Sequence, residues 1–286
     1  MKHIRILSPS GAIAPRFILD TQKRLEEWGY RVSIGKHAME EYGRFAGTIE
    51  QRLADLNEAL ADTDIDIILC SRGGYGLQQI IDKIALPQRP IDEWPLIVGY
   101  SDITELHSLM ALHGVASLHM GMCRELTTYN LPLTFNHGAI QLDTKGRNGT
   151  VTGKVIGGNL SVLYGLQGTT WDLNHIIDTM DSAPILLLED IDEAHYHIDR
   201  MMNNLRLSGA LARISGLVVG YFTNCDEDKR MCCTIADTIL QAVREYDYPV
   251  MLGAPIGHEQ PNRPVMLGVE HTLIVNDEGA TLTPCV

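Results

Sequence analysis

The chain has 286 residues, 45% hydrophobic and 21% charged, enough to bury the core of one large domain or two modest ones. Its 23 Lys and Arg face 36 Asp and Glu, a formal charge of -13, and so acidic a surface repels phosphate backbones and argues against a nucleic-acid partner. No run approaches the roughly 20 apolar residues that span a bilayer, and "MKHIRILSPSGAIAPRF" is too weakly apolar for a signal-peptide core. The expectation is a cytoplasmic protein with no membrane partner. Its six cysteines (Cys70, Cys123, Cys225, Cys232, Cys233 and Cys285) show no CxxC spacing and read as reduced thiols. Adjacent Cys232 and Cys233 read as half-buried on a helix, with a redox-active pair as the alternative.

In chain order, "HIRILSPS" is a strand ending in turn residues, followed by an amphipathic stretch from Arg16 to Trp28 and a second strand, "YRVSIG". "GTIEQRLADLNEALAD" opens with Thr48 and Gln51 at capping-box spacing and continues as a helix. "DIDIILC" is a buried-type strand, "SRGGYGLQQIIDKI" turns into a helix, "WPLIVG" is a strand, "ITELHSLMALHG" a helix and "VASLHMG" a short strand. This alternation predicts a parallel sheet with helices on both faces, whose ligands sit beyond the carboxyl ends of the strands. Residues 8–10, 72–76 and Ser101 all fall at such ends. The expected divisions are 1–122, a polar connection over 123–149, and a second α/β domain over 150–286, with a cleft between the domains. The second domain comprises "TVTGKVIGGNLSVLYGL", "APILLLED", the acidic helix "DEAHYHIDRMMNNLRLSG", the strand "GLVVGYF", the helix "RMCCTIADTILQAVREY" and three short closing strands.

Chemistry-bearing candidates cluster at turns. "GYSDIT" carries half of a G-x-S-x-G nucleophile elbow, with Ile103 in place of the second glycine, and Ser101 reads equally as a helix cap. Amides at the start of the following helix suit an oxyanion, and Gly74 in "SRGGYG" offers a second donor. A serine nucleophile needs a base and an orienter. Among eleven histidines, His258 lies in a Gly/Pro-rich loop, as a catalytic or a solvated residue, whereas His107 and His113 read as core or surface. Glu189 ends an apolar run, either emerging from a strand end or starting a helix. His195 and His197 sit among carboxylates, but two residues apart on a helix they face different ways, which argues against a metal.

"LSPSG", "FAGTIEQRLADLNEAL", "SRGGYG", "GYSDIT", "GGNLSVL", "LLLEDIDEAHYHIDRMMNNLRLSG" and "PIGHEQPNRPVMLG" occur in one order along nearly the whole chain. In this the sequence resembles the LD-carboxypeptidases, serine peptidases of the muramoyltetrapeptide carboxypeptidase type. The resemblance implies a flavodoxin-like N-terminal domain and a smaller C-terminal α/β domain, with the active site in the cleft between them. It implies a triad of Ser101, Glu189 and His258, an oxyanion hole from the N–H groups of Gly74 and Asp102, and no cofactor. Its substrate would be a murein tetrapeptide losing its terminal D-Ala during cell-wall recycling, and its assembly a homodimer. Arg72 is a candidate for the terminal carboxylate or a structural residue, and Tyr75 a second substrate contact. The family's microcin C immunity-type peptidases form the alternative; they would favour an aromatic platform, for which Tyr75, Tyr100 and Trp171 are available. Ser71 replaces a usual alanine, and Pro261 and Pro264 interrupt the family's pattern after His258.

Overall fold

A computed structural model describes residues 1–128, 138–143 and 146–285. The chain divides into two compact units, Met1–Phe135 and Asn136–Val286. In the first, β1 (His3–Leu7), β2 (Arg31–Ile34), β3 (Ile67–Cys70), β4 (Leu96–Gly99) and β5 (Ser117–His119) alternate with α1 (Pro15–Glu27), α2 (Ile49–Ala61), α3 (Thr104–Leu112) and α4 (Cys123–Thr128). The strands lie side by side as β2-β1-β3-β4-β5, every pair parallel. This is the flavodoxin-like strand order, and it reverses between β1 and β3. Every residue of β3 is buried, as a strand covered on both faces requires. α1 starts on Pro15, whose missing N–H costs nothing at a helix start, and buries Ile18, Thr21 and Leu25. α2 carries the expected capping box, Thr48 and Gln51 each bonding the other's backbone.

Two readings need correction here. "LQQIIDKI" forms two short 3-10 turns, Leu77–Gln79 and Ile81–Lys83, rather than an α-helix. Tertiary partners claim its first turn: the Leu77 amide donates to the Asp102 carboxylate at 3.1 Å, and the Gly76 carbonyl accepts from Arg52 at 2.8 Å. The stretch expected to be a plain connection also contains α4, which packs on α1 through a Thr21 hydroxyl donating to the Cys123 carbonyl. The rest of that stretch includes residues 129–137 and 144–145, which lie outside the described residues.

The second unit contains β6 (Ile140–Leu142), β7 (Gly149–Asn159), β8 (Ile185–Ile191), β9 (Gly216–Thr223), β10 (Val250–Met251), β11 (Val265–Leu267), β12 (Glu270–Asn276) and β13 (Gly279–Pro284). Its helices are α5 (Leu160–Gly165), α6 (Leu173–Asp178), α7 (His195–Leu207) and α8 (Ile235–Ala242). The sheet runs β10-β9-β8-β7-β12-β13-β6. It is parallel from β10 to β7 and antiparallel from β7 to β6, with the long β7 belonging to both halves. Leu187, Val218, Met251, Ile256 and Leu273 are among the residues of one buried cluster. The helix expected from Arg230 begins only at Ile235, where Thr234 and Asp237 form a second capping box. Cys232 has φ +58°, which a helix cannot contain, and both it and Cys233 are exposed rather than half-buried.

Candidate active site

In the first unit, the loops following β1, β3 and β4 meet at the carboxyl edge of the sheet. Ser101 opens a 3-10 turn, Ser101–Ile103, leading into α3, and it has φ +65°. A non-glycine residue in the left-handed region marks backbone held under strain by its surroundings. Gly99 lets Ile103 fold back: a Cβ there would stand 2.9 Å from Ile103 Cγ1. Ile103 therefore belongs to this elbow by packing rather than as a substitute for a second glycine. Gly73 lies against the same turn, and a Cβ on it would stand 2.9 Å from Ser101 Cβ and 3.1 Å from the Asp102 nitrogen. Gly74, next in the chain, has φ +102°.

Side chains not anticipated from the sequence hold these loops. The buried Asp102 carboxylate accepts from the Ser10 hydroxyl and the amides of Leu77 and Gly76, and burial raises its pKa. The equally buried Arg52 donates to the carbonyls of Pro9, at 2.9 Å, and Gly76. Ser10 is among the strand-end residues named from the sequence; the roles of the Asp102 side chain and of Arg52 are tertiary. Ser71 uses its hydroxyl, at 2.6 Å from that of Ser8. Arg72 donates to the Ala12 carbonyl at 2.6 Å. With Arg44, Glu41, Gly74 and Tyr75 it lines a cavity of about 410 Å³. Tyr75 is exposed, whereas Tyr100 is buried beside His119, ring centroids 5.7 Å apart, and provides no open platform. Trp171 is half-buried at the approach to α6.

In the second unit, Glu189 Oε2 lies 2.7 Å from His258 Nδ1. Glu189 is fully buried within β8, so it neither protrudes from a strand end nor starts a helix. A carboxylate accepts, so Nδ1 donates and Nε2 is left as the basic nitrogen. β9 carries an extra residue opposite Glu189: Leu188 pairs with Val219, but Asp190 pairs with Phe222. This bulge turns the Tyr221 amide to the Ile256 carbonyl at 2.8 Å, which seats the histidine loop. Gly257, at φ +124°, lies so close that a Cβ would stand 2.9 Å from Glu189 Oε2, and its amide donates to Asn262 Oδ1. Neighbouring Asp190, pushed up to about 7 mainly by burial, accepts from Asn159 Nδ2 and the Ser161 amide, each at 2.9 Å.

The other histidines named from the sequence have partners of their own. His107 bonds Ser117 and the Gly99 carbonyl in the core, and burial followed by neighbouring His119 lowers its pKa to about 3. His113 ends α3. His195 pairs with Thr238 and His197 with Glu193, so the two diverge.

A left-handed serine packed against Gly73 in one unit, and a histidine held by a buried glutamate in the other, are residue types that serine-type acyl chemistry uses. The chain belongs to the LD-carboxypeptidase family: residues 4–120 match its N-terminal domain and residues 152–273 its C-terminal domain. It is therefore a serine carboxypeptidase. It is 31% identical to a probable murein peptide carboxypeptidase of Bacillus subtilis, across 98% of this chain and 91% of that protein. The crystal structure of muramoyltetrapeptide carboxypeptidase from Oxalobacter formigenes superposes with a TM-score of 0.85 at 25% identity, covering 100% of this chain and 99% of that one. The microcin C7 self-immunity protein MccF of Escherichia coli is 24% identical over 91% of this chain and 86% of its own length.

Proposed function

We propose that this protein removes the terminal D-Ala from a murein tetrapeptide by hydrolysing an L–D peptide bond. The observation that carries the reading is the 2.7 Å contact between His258 Nδ1 and the buried Glu189 carboxylate, which supports the imidazole acting as a base. Ser101 is the nucleophile. His258 takes its proton as Oγ attacks the carbonyl, and Glu189 stabilises the imidazolium. The amides of Gly74 and Asp102 receive the oxyanion. The imidazolium returns the proton to the departing nitrogen, and water then releases the acyl-enzyme by the reverse route. Arg72 is the candidate partner of the terminal carboxylate; its charge and its place with Tyr75 in the lining of one cavity support that role. The protein works as a cytoplasmic homodimer in cell-wall recycling.

Incubation with murein tetrapeptide and chromatography of free D-Ala tests this. Ser101→Ala and His258→Ala each lower release by about 10³-fold or more. Wild-type turnover in Ser101→Ala overturns the assignment. An aminoacyl-sulfamoyl adenylate run in parallel, cleaved while the tetrapeptide is not, replaces the murein substrate with the microcin-type one.

A further inference from the structure

Two amide donors separated by a loop boundary must hold a fixed spacing to be useful to an oxyanion, and here they come from different loops. Gly74 belongs to the loop after β3, whereas Asp102 follows β4. One buried carboxylate, that of Asp102, links both loops. Asp102 belongs to the second loop through its own backbone and grips the first through the Gly76 and Leu77 amides. Its third donor, Ser10, brings in the loop after β1, and the Gly11 amide ties that loop to the Gly73 carbonyl at 3.1 Å. Arg52 fastens the same two outer loops from the opposite polarity, through the carbonyls of Pro9 and Gly76, and places Nη2 2.6 Å from Gln79 Oε1.

Ser10 is 0% exposed, Asp102 and Arg52 2% each, so water cannot substitute for any member. Buried opposite charges near one another are weak sources of stability because desolvation offsets attraction, and apolar replacements often serve as well. What such a pair does supply, when its hydrogen bonds are filled, is a fixed geometry.

We propose that the Asp102 carboxylate, held by Ser10 and faced by Arg52, is a positioning group that sets the separation of the Gly74 and Asp102 amides. The inference rests on the oxyanion-hole reading above. Asp102 acts through its neighbours; its side chain need not touch substrate. The Ser10 hydroxyl and the Leu77 amide converge on one oxygen, Oδ2. Asparagine can keep that oxygen but sets an NH2 in place of the other, where it opposes the Gly76 amide, so the loop after β3 relaxes away.

The experiment is steady-state kinetics on the intact enzyme with murein tetrapeptide, alongside thermal unfolding of each variant. Asp102→Asn is expected to lower kcat by about 10- to 100-fold with KM within about twofold, because the lost interaction is made in the transition state. Ser10→Ala, which removes one donor and leaves the carboxylate, lowers kcat by roughly 3- to 10-fold. A structural bolt alone would lower the unfolding midpoint while folded enzyme kept its kcat, and that result overturns the inference. Should Asp102→Asn fail to fold, the Ser10→Ala kcat decides in the same way. Ser101→Ala separates the two layers. If it retains turnover, the nucleophile assignment falls; if it is inactive while Asp102→Asn and Ser10→Ala run at full kcat, only the positioning role falls.

Discussion

At Gly73 the closest approach of the β3 and β4 turns leaves no room for a side chain. A methyl group there meets Ser101 Cβ at 2.9 Å and backbone at 3.1 Å, and neither is the far end of a flexible chain. Gly73→Ala therefore shifts Ser101, and with Ser101 as the proposed nucleophile a displacement on the ångström scale costs about 10²-fold in kcat; kinetics with tetrapeptide check this. Glu105, buried on α3, has its pKa pushed up to about 9, first by burial and then by the Asp102 carboxylate. The folded protein thus keeps a proton that the unfolded chain releases above its usual value of 4.5. Stability is full below that value and falls as pH rises toward 9. Glu105→Gln flattens that decline, which unfolding midpoints at pH 5, 7 and 9 will show. None of this is legible in "SRGGYG" or "SDITEL", where the glycines announce only a turn and Glu105 looks like an ordinary acid of a first helical turn.

Among elements, α2 and β9 mark the two extremes of legibility. The cap of α2 is local chemistry, three residues apart, so "GTIEQ" displays it directly. Thr48→Ala should lower the unfolding free energy by about 1 kcal/mol and leave kcat unchanged, as denaturant titration and turnover will check. The bulge in β9 depends on what lies across the sheet, and "GLVVGYF" reads as uniform strand. Yet the bulge joins Glu189 to the histidine loop, 69 residues further on. At Gly220 a Cβ would stand 2.4 Å from the Ile256 carbonyl oxygen. Gly220→Ala is therefore expected to displace the loop, lower kcat and alter the downfield proton signal of His258 Nδ1, read by NMR.

For the whole molecule, the alternation of strands and helices indicated the parallel sheet, because each buried strand and its covering helix leave separate periodicities. For Glu189 and His258 a catalytic role is implied by family resemblance, while composition and spacing leave each with an ordinary alternative. Since the proposed reaction contains no metal step, D-Ala release should be unchanged after incubation with a chelator, and loss of activity restored by added zinc would contradict it. The left-handed backbone of Ser101 has a wider consequence. Glycine adopts φ +65° without the steric penalty other residues meet there, so Ser101→Gly should exceed Ser101→Ala in unfolding free energy by roughly 0.5–1 kcal/mol, although neither has a nucleophile. Mutagenesis screened for thermal tolerance alone would favour replacing this serine. With Ser101 as the proposed nucleophile, selection for turnover is what would hold it there, so libraries built to harden this enzyme must score hydrolysis and heat resistance together.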